Sequence, residues 1–484
     1  MSLDPAFLRS LEERVAPESL IRDPVDLIAY ESDGLTYLRE VPAAVVVPGS
    51  VDEVRAVVRA CHRHGVPFVA RGHGTGLSGG ALPAPDGIVI ALSRLNRIVE
   101  LDVANRWIAV EPGVTNLEVT RHVAPHGLYY APDPSSQQVC SIGGNVAENS
   151  GGAHCLKYGF TVHHVLGLEM VMPDGELVRL GGPVPDGPGF DLVGAIVGSE
   201  GTLGIVTRAT LRLLPTPEAV RTLLAAFPST DAAGAAVSAI IGAGIIPAAV
   251  EMMDRLTVEA AEAAVHPDFP RAEAILIVEL DGPQPEVDAF FDRVDRICRA
   301  QGAVEVRVAR DEAERGRFWR GRKAAFAAMG RISPSYYVQD GVIPRTRLPE
   351  VLRRIRELEA RSGLRIGNVF HAGDGNLHPL ICYDAAVEGQ AELAEQVAVE
   401  ILGYCLDAGG SITGEHGVGA DKAKQMPKMF TDADLEVMQR LRCAFDPTGI
   451  SNPRKVFPTP RLCGEVPGPY REHPVERAGL AERF

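Results

Sequence analysis

The sequence predicts a multi-domain α+β protein, and three observations carry that expectation. At 484 residues the chain is longer than one hydrophobic core usually supports, so two or three domains are expected. A strand–helix–strand start runs into a glycine-rich loop that is followed by another strand rather than a helix. After Pro215-Thr216-Pro217, helices and strands alternate regularly.

Residues 1–40 read as a polar, helical lead-in, and residues 41–217 as the first large domain. Ala43 to Val47 is a β-type apolar run ended by Pro48-Gly49. Ser50 and Glu53 have capping-box spacing, and Val51, Val54, Val57, Val58 and Cys61 then share one helical face. Gly65 closes that helix and Val66 to Ala70 forms the next strand. It leads into Arg71-Gly72-His73-Gly74-Thr75-Gly76-Leu77-Ser78-Gly79-Gly80. Gly74, Gly76 and Gly79 have the spacing of the dinucleotide fingerprint, but that fingerprint needs a helix directly after it to receive the pyrophosphate. Here Pro83, Pro85 and Asp86-Gly87 lead into the strand Ile88 to Leu92, which excludes a Rossmann unit. The glycines still let successive backbone N–H groups approach a phosphate closely.

Two further glycine loops, Ser141 to Gly152 and Gly198 to Ile205, alternate with strands at Val165–Met172, Glu176–Leu180 and Ile205–Leu214. One such loop alone is an ordinary tight turn; three together, rich in Ser, Thr and Asn, point to a long phosphate-bearing cofactor. Pro215-Thr216-Pro217 marks the boundary to residues 218–440. Helices are expected there at Ala232–Gly242, Arg255–Val265, Pro285–Gly302 and Leu348–Ser362, with strands at Ala274–Leu280, Ala303–Val308 and Leu364–His371. Residues 441–484 form a C-terminal segment whose part beyond Phe457 is rich in proline and charge and is expected on the surface.

Composition narrows the function. A net charge of -15 argues against a nucleic-acid surface, which needs clustered Lys and Arg. The start Met1-Ser2-Leu3-Asp4-Pro5 lacks the basic and apolar segments of a secretory signal. The most apolar stretch, Ala239 to Val250, is interrupted by Gly242, Gly244 and Pro247 and is shorter than the ~20 residues of a membrane span. The eight cysteines are scattered with no C-x-x-C, so this chain is not expected to hold an iron–sulfur cluster or a structural zinc finger, and its thiols are expected reduced. A cytoplasmic location follows as the expectation, with peripheral membrane attachment and a homodimer left open.

The chemistry-bearing residues lie toward the C-terminal end. His371 and His378 flank Ala372-Gly373-Asp374-Gly375-Asn376-Leu377, whose Asp-Gly and Gly-Asn steps are hairpin-turn chemistry between two apolar runs. The turn brings the two imidazoles together, either as plain hydrogen-bonding groups or as metal ligands. Glu415, near Gly409-Gly410 and Gly414, is the natural third ligand; two imidazoles and a carboxylate with an open position make a catalytic zinc-type site. His416 is expected to point away from its neighbour Glu415 and to act as a general base, with an ordinary pKa of ~6.5. In Arg320-Gly321-Arg322-Lys323, Arg322 can grip a carboxylate in bidentate fashion or lie on a helix surface. Trp319 and Tyr336-Tyr337 pack or line a pocket. A metal site and a basic group in an acidic chain suit a small anionic substrate.

Taken together, these residues resemble a known family. Arg71–Gly80, Pro132-Asp133-Pro134, Ile142-Gly143-Gly144-Asn145 and Gly198–Ile205 are similar to the FAD-binding domain of the vanillyl-alcohol oxidase/p-cresol methylhydroxylase superfamily. His371–His378, Gly414-Glu415-His416-Gly417 and Phe445-Asp446-Pro447 to Asn452-Pro453 resemble its D-2-hydroxyacid dehydrogenase branch. Phe318-Trp319, Arg331 to Pro334, Gly341 to Pro344 and the closing Glu482-Arg483-Phe484 resemble members of that branch that oxidise glycolate. The resemblance covers residues 20 to 484.

It implies a non-Rossmann FAD fold of two α+β subdomains and an α+β cap with an antiparallel sheet. Arg71, Gly72, Gly74, Thr75, Gly76, Leu77, Ser78 and Gly79 would cradle the pyrophosphate. Pro132, Gly143, Gly144, Asn145, Gly151, Gly204 and Ile205 would line the rest, with Asn452 near the isoalloxazine. His73 falls in the loop that attaches flavin covalently in distant relatives, but in a different register, so non-covalent FAD is implied. A divalent metal, zinc for preference, would sit on His371, His378 and Glu415. Arg322 would bind the substrate carboxylate, His416 would take the hydroxyl proton, and Asn376 would contact substrate or flavin. Branch members that act on 2-hydroxyglutarate often carry a basic residue near Val338, so the apolar residue here favours glycolate or D-lactate. Because this chain has no cluster motif, electrons would leave to an iron–sulfur subunit, a quinone or a cytochrome. The rival readings are a D-2-hydroxyglutarate dehydrogenase, a flavin-binding subunit without catalysis, and a non-redox zinc hydrolase using the same ligands.

Overall fold

The computed structural model describes residues 3–184 and 187–458. The expected surface tail beyond residue 458, Cys463 and the Glu482-Arg483-Phe484 motif lie outside the described residues.

The chain opens on a four-stranded sheet ordered Leu20–Ile21, Ala44–Val46, Ile88–Ala91, Phe68–Arg71, the last three parallel. Helix Val51–His64 covers it and buries Val54, Val57, Val58 and Cys61 against Val46, Phe68, Ile88 and Ile90. The Ser50 cap is as expected, its hydroxyl accepting from the Glu53 N–H, but the Glu53 carboxylate accepts from the Gly49 N–H and not from that of Ser50, so the capping box is not closed. Gly65 ends it with φ +64°, a conformation that costs glycine nothing. The lead-in is only partly helical (Pro5–Glu12 and Pro24–Leu27). Its strand Leu20–Ile21 joins the sheet, and Phe7 and Leu11 are fully buried in the same core. The far end of the chain returns here too: Phe68 N–H donates to Ile450 C=O, and Asn452 N–H donates to Phe68 C=O.

A five-stranded antiparallel sheet follows, ordered Ile98–Asp102, Trp107–Val110, Ile205–Arg212, Val165–Val171, Leu177–Gly181. The expected loop Ser141 to Gly152 needs correction, because Ile142–Glu148 is a short helix. Two glycines argue against a helix by propensity. Packing overrides them: a Cβ on Gly143 would stand 2.6 Å from Pro112 Cβ, Ser141 caps the N-terminus through the Gly144 N–H, and Ile142 and Val146 are buried.

The remaining large unit is a nine-stranded antiparallel sheet. Its main path is Glu305–Val308, Ala219–Phe227, Ala274–Gly282, Ala249–Asp254, Ile366–His371, Asn376–Leu377, Gly341–Val342, with Pro379–Tyr383 and Ser335–Val338 branching from Ile366–His371. Helices Thr230–Gly242, Gln284–Ala300, Leu348–Ser362 and Gln390–Asp407 cover one face, and Arg255–Val265 and Glu312–Ala328 cover the other. Leu223, Ala225 and Phe227 accordingly face one core, Leu224 and Ala226 the other. Strands covered on both sides have no polar face, so they read as unbroken apolar runs. Among the described residues no helix is long and apolar enough to cross a membrane.

Candidate functional site

Between the two glycine-loop layers and the large sheet lies a cavity of about 580 Å³. Residues 72–77, Gly143, Gly144, Asn145, Gly204 and Ile205 form one end of its wall. Lys323, Phe326, Tyr336, Val338, Glu415 and His416 line the other. One continuous space therefore joins the expected cofactor loops to the expected reaction centre.

The remaining expected cofactor residues do not line the cavity but build its wall. Arg71 donates to the Ser32 carbonyl at 2.8 Å and fills the space where a Gly74 side chain would be. Ser78 is fully buried, and its carbonyl accepts from the Asp421 N–H. Gly79 has φ +73°, and the Pro132 carbonyl accepts from Asn116 Nδ2 at 3.0 Å. A Cβ on Gly151 would lie 2.7 Å from Glu415 Oε2, so this glycine lets the first domain close on the reaction centre. Asn452 donates to the carbonyls of Gly80 and Glu200 at 2.9 and 2.6 Å and staples two of the loops together. His73 lines the cavity, with Nδ1 2.6 Å from the Val139 carbonyl. The glycine-lined, backbone-rich end has the room and the exposed amides that a dinucleotide-type cofactor such as FAD requires.

At the other end, His371, His378 and Glu415 come together as the spacing anticipated. Glu415 Oε1 is 3.3 Å from His371 Nε2 and 3.0 Å from His378 Nε2, and the candidate ligand atoms all lie within 4.8 Å of one another. The register explains His371: it stands directly across from Glu251 on the neighbouring strand, and Glu251 Oε1 holds its Nδ1 at 2.8 Å. That turns Nε2 toward Glu415 and the candidate metal position, the arrangement by which a carboxylate fixes a metal-binding tautomer. His378 is buried with neither ring nitrogen in a hydrogen bond. Orphaned buried imidazole nitrogens beside a carboxylate fit a divalent cation. Burial alone would raise Glu415, but the neighbouring His371 and His378 hold it well below the usual carboxylate range.

His416 does not point away from Glu415. Its Nε2 is 3.8 Å from Glu415 Oε1, and its ring stacks on that of His378 at 4.9 Å. The reason is Asp340, a fully buried carboxylate that the sequence did not single out. Residues 413–416 wrap around it: it accepts from Thr413 Oγ1 at 2.6 Å and from the N–H groups of Gly414, Glu415 and His416. Asn376 Nδ2 at 2.8 Å and Lys422 Nζ at 3.2 Å complete the set. The loop is curled rather than extended, so consecutive side chains face one centre. Asn376, expected at substrate or flavin, therefore commits its amide to Asp340. Asp340, His378 and His416 also converge as three potential ligands. With the Asp340 oxygens already surrounded by donors, the set built on Glu415 is the better one. Burial pushes His416 down to about 4, which keeps it neutral near pH 7.

The three cations of Arg320-Gly321-Arg322-Lys323 part company. Arg320 is exposed. Arg322 is 2% exposed and does not line the cavity; its Nη2 is 2.6 Å from Glu251 Oε2, so Glu251 joins Arg322 to His371. Lys323 faces the cavity. Glu251 was also missed, although a lone carboxylate inside Ala248-Ala249-Val250-Glu251-Met252-Met253 is the mark of a buried, partnered acid. A second missed cluster spans the two large units: His154 lies between Asp133 and Glu279 at 2.9 and 3.3 Å, and Glu279 also accepts from Trp319 Nε1 and Arg315. Against burial, these two carboxylates raise His154 to about 10.

Comparison with known proteins identifies the family. Residues 42–181 match the model of an FAD binding domain, and residues 216–456 match that of the C-terminal domain of FAD linked oxidases. The chain is 49% identical over 469 residues to the glycolate oxidase subunit GlcD of Escherichia coli strain K12, covering 97% of this chain and 94% of that protein. It is 31% identical to a D-lactate dehydrogenase of Anaerostipes hadrus, over 93% of this chain and 97% of the other. Among solved structures, 4-ethylphenol oxidase from Gulosibacter chungangensis superposes with TM-score 0.80 over 94% of this chain and 97% of that one, at 20% identity, which speaks to the fold alone.

Proposed function

The chain belongs to the FAD-linked oxidases of the vanillyl-alcohol oxidase/p-cresol methylhydroxylase superfamily and is an FAD-dependent hydroxyacid oxidoreductase; from that premise we propose that it oxidises a small 2-hydroxy monocarboxylate, glycolate or D-lactate, to the 2-oxo acid. The observation that supports this choice is the single cavity running from the glycine loops to Glu415 and His416, with the apolar Val338 in its wall.

When bound, FAD supplies the two-electron acceptor for a hydride, and a divalent metal, zinc for preference, supplies Lewis acidity toward the hydroxyl. The protein's share is positioning and proton transfer. His371, His378 and Glu415 would hold the metal. Arg322 and Glu251 lock the His371 ring, so Arg322, expected at the substrate carboxylate, serves chiefly as a strut. Asp340 fixes the loop that carries Glu415 and His416. His416, kept neutral by burial, takes the hydroxyl proton at Nε2 as the carbon–hydrogen bond breaks. Phe326, Tyr336 and Val338 keep water from the reacting carbon. Non-covalent FAD is the expected state. Electrons then leave to a partner, an iron–sulfur subunit, a quinone or a cytochrome; the designation of the Escherichia coli relative as a subunit supports a separate acceptor.

Anaerobic absorbance of the purified protein tests this directly. Glycolate or D-lactate should bleach the flavin band near ~450 nm. Bleaching by D-2-hydroxyglutarate alone would overturn the choice of substrate, and a protein that cannot be loaded with FAD would favour the zinc-hydrolase rival.

A further inference from the structure

Glu148 is the last residue of helix Ile142–Glu148, and it lines the cavity. A Cβ on Gly80 would stand 2.5 Å from its Oε1, and one on Gly417, the neighbour of His416, would collide with its Oε2. Its carboxyl therefore lies where the glycine loop meets the loop of the reaction centre. Across Gly417 stands a second carboxylate: the same Cβ would be 2.9 Å from Glu200 Oε1. Two carboxylates at one glycine cannot both ionise without strong repulsion.

Their surroundings decide which one carries the charge. Glu200 accepts from the N–H groups of Val418 and Gly419, both at 2.6 Å. Among the described residues Glu148 makes no hydrogen bond and no ion pair, and its Oε2 is sealed from solvent. Burial, then Glu200 and Asp33, with a smaller push from Asp340, raise Glu148 well above the usual carboxylate range. Lys422 opposes them, but its ammonium is held by Asp340 at 3.2 Å. Burial raises Glu200 as well, against the two amides, Lys422 and Lys455. Glu148 is thus the member that keeps its proton, a neutral O–H donor with no acceptor in the protein. Such a donor in a wall is costly unless a ligand brings the acceptor. Hydride transfer needs the flavin ring beside His416, and that ring carries carbonyl oxygens and ring nitrogens that accept.

Resting on the FAD reading above, we propose that Glu148 donates a hydrogen bond from its carboxyl O–H to the isoalloxazine ring of bound FAD and thereby raises the flavin's reduction potential. A hydride leaves the ring negatively charged; a neutral donor stabilises that charge, whereas a carboxylate would oppose it. Glu148 shares its proton without giving it up, so no further group is transferred.

The test uses the FAD-loaded full chain reduced with dithionite, so that no substrate is needed. In the reduced-minus-oxidised infrared difference spectrum the wild type should show a protonated-carboxyl C=O band that shifts on reduction, and Glu148→Gln should lack it. In a redox titration Glu148→Gln, still a neutral donor, should stay close to the wild type. Glu148→Leu, with no donor, should disfavour reduction about tenfold, ~30 mV for two electrons. The proposal is overturned if no protonated-carboxyl band moves, or if that band persists in Glu148→Gln. It is equally overturned if Glu148→Gln raises the potential, as removal of a negative charge would, or if Glu148→Leu titrates like the wild type. Should Glu148→Leu take up no FAD, the infrared comparison with Glu148→Gln decides alone. A wild type that takes up no FAD is colourless from the outset, which defeats the underlying reading and the proposal with it.

Discussion

At one end of the cavity the wall is backbone; at the other it is side chains. The glycine loops work by what is missing. Gly72, Gly74 and Gly143 each stand where a Cβ would meet Ser141, Arg71 or Pro112, and the amides between them are left open to a ligand. The His371–His378–Glu415 centre works by what is added, one buried charge ordering the next. Arg322 holds Glu251, Glu251 holds His371, and Asp340 holds the loop of Glu415 and His416. A surface of absent side chains tolerates small errors, because each glycine fails alone. A chain of buried charges does not, because removing one member strands its neighbour in a low dielectric.

Substitutions can break that contrast. The largest effect should come from Asp340→Ala, which leaves Lys422 and the curled N–H groups unpaired in the interior. It is expected to cost about 3–5 kcal/mol of stability and to reduce bound metal to background, as denaturant unfolding and metal analysis would show. Next is Gly143→Ala, where crowding against Pro112 should cost about 1–3 kcal/mol locally and weaken FAD by roughly tenfold in an apoprotein titration. Metal content should stay intact; metal lost together with FAD would show that the two ends form one cooperative unit.

The smallest effect concerns the joint between the units. His154 is raised to about 10 by Asp133 and Glu279 against the lowering effect of burial, so its contribution is fully present below its unfolded value of ~6.5 and fades as pH rises through about 10. The melting temperature of the wild type should fall over that range more steeply than that of His154→Gln. Parallel curves would remove His154 as a charged link.

The same contrast decides how much the sequence disclosed. Helices Arg255–Val265 and Leu348–Ser362 fall where periodicity put them, since each has one apolar face and a clear stop. The glycine loop after Phe68–Arg71 was legible because an absence is written locally, whereas in Ser141 to Gly152 packing makes a helix of Ile142–Glu148. Strands Ala219–Phe227 and Ala249–Asp254 went unassigned, because burial on both faces erases the two-residue alternation and leaves apolar runs that merge with their neighbours. With the second strand went Glu251, whose meaning lies in its register opposite His371. The three metal-ligand candidates were visible as motifs. Asp340 and the turn of His416 toward Glu415 were not, for they depend on a carboxylate about 75 residues away. The basic run Arg320 to Lys323 was visible with Arg322 singled out, and only the folded helix shows Arg322 buried on Glu251 and Lys323 lining the cavity.

The staple made by Asn452 has a consequence in the order of synthesis. The loops it joins, at Gly80 and Glu200, leave the ribosome early, yet the residue that ties them arrives some 250 residues after Glu200. A nascent chain can therefore lay down both halves of the first domain long before it can lock them together. The cofactor pocket matures last, and capture of the flavin belongs to the finished polypeptide.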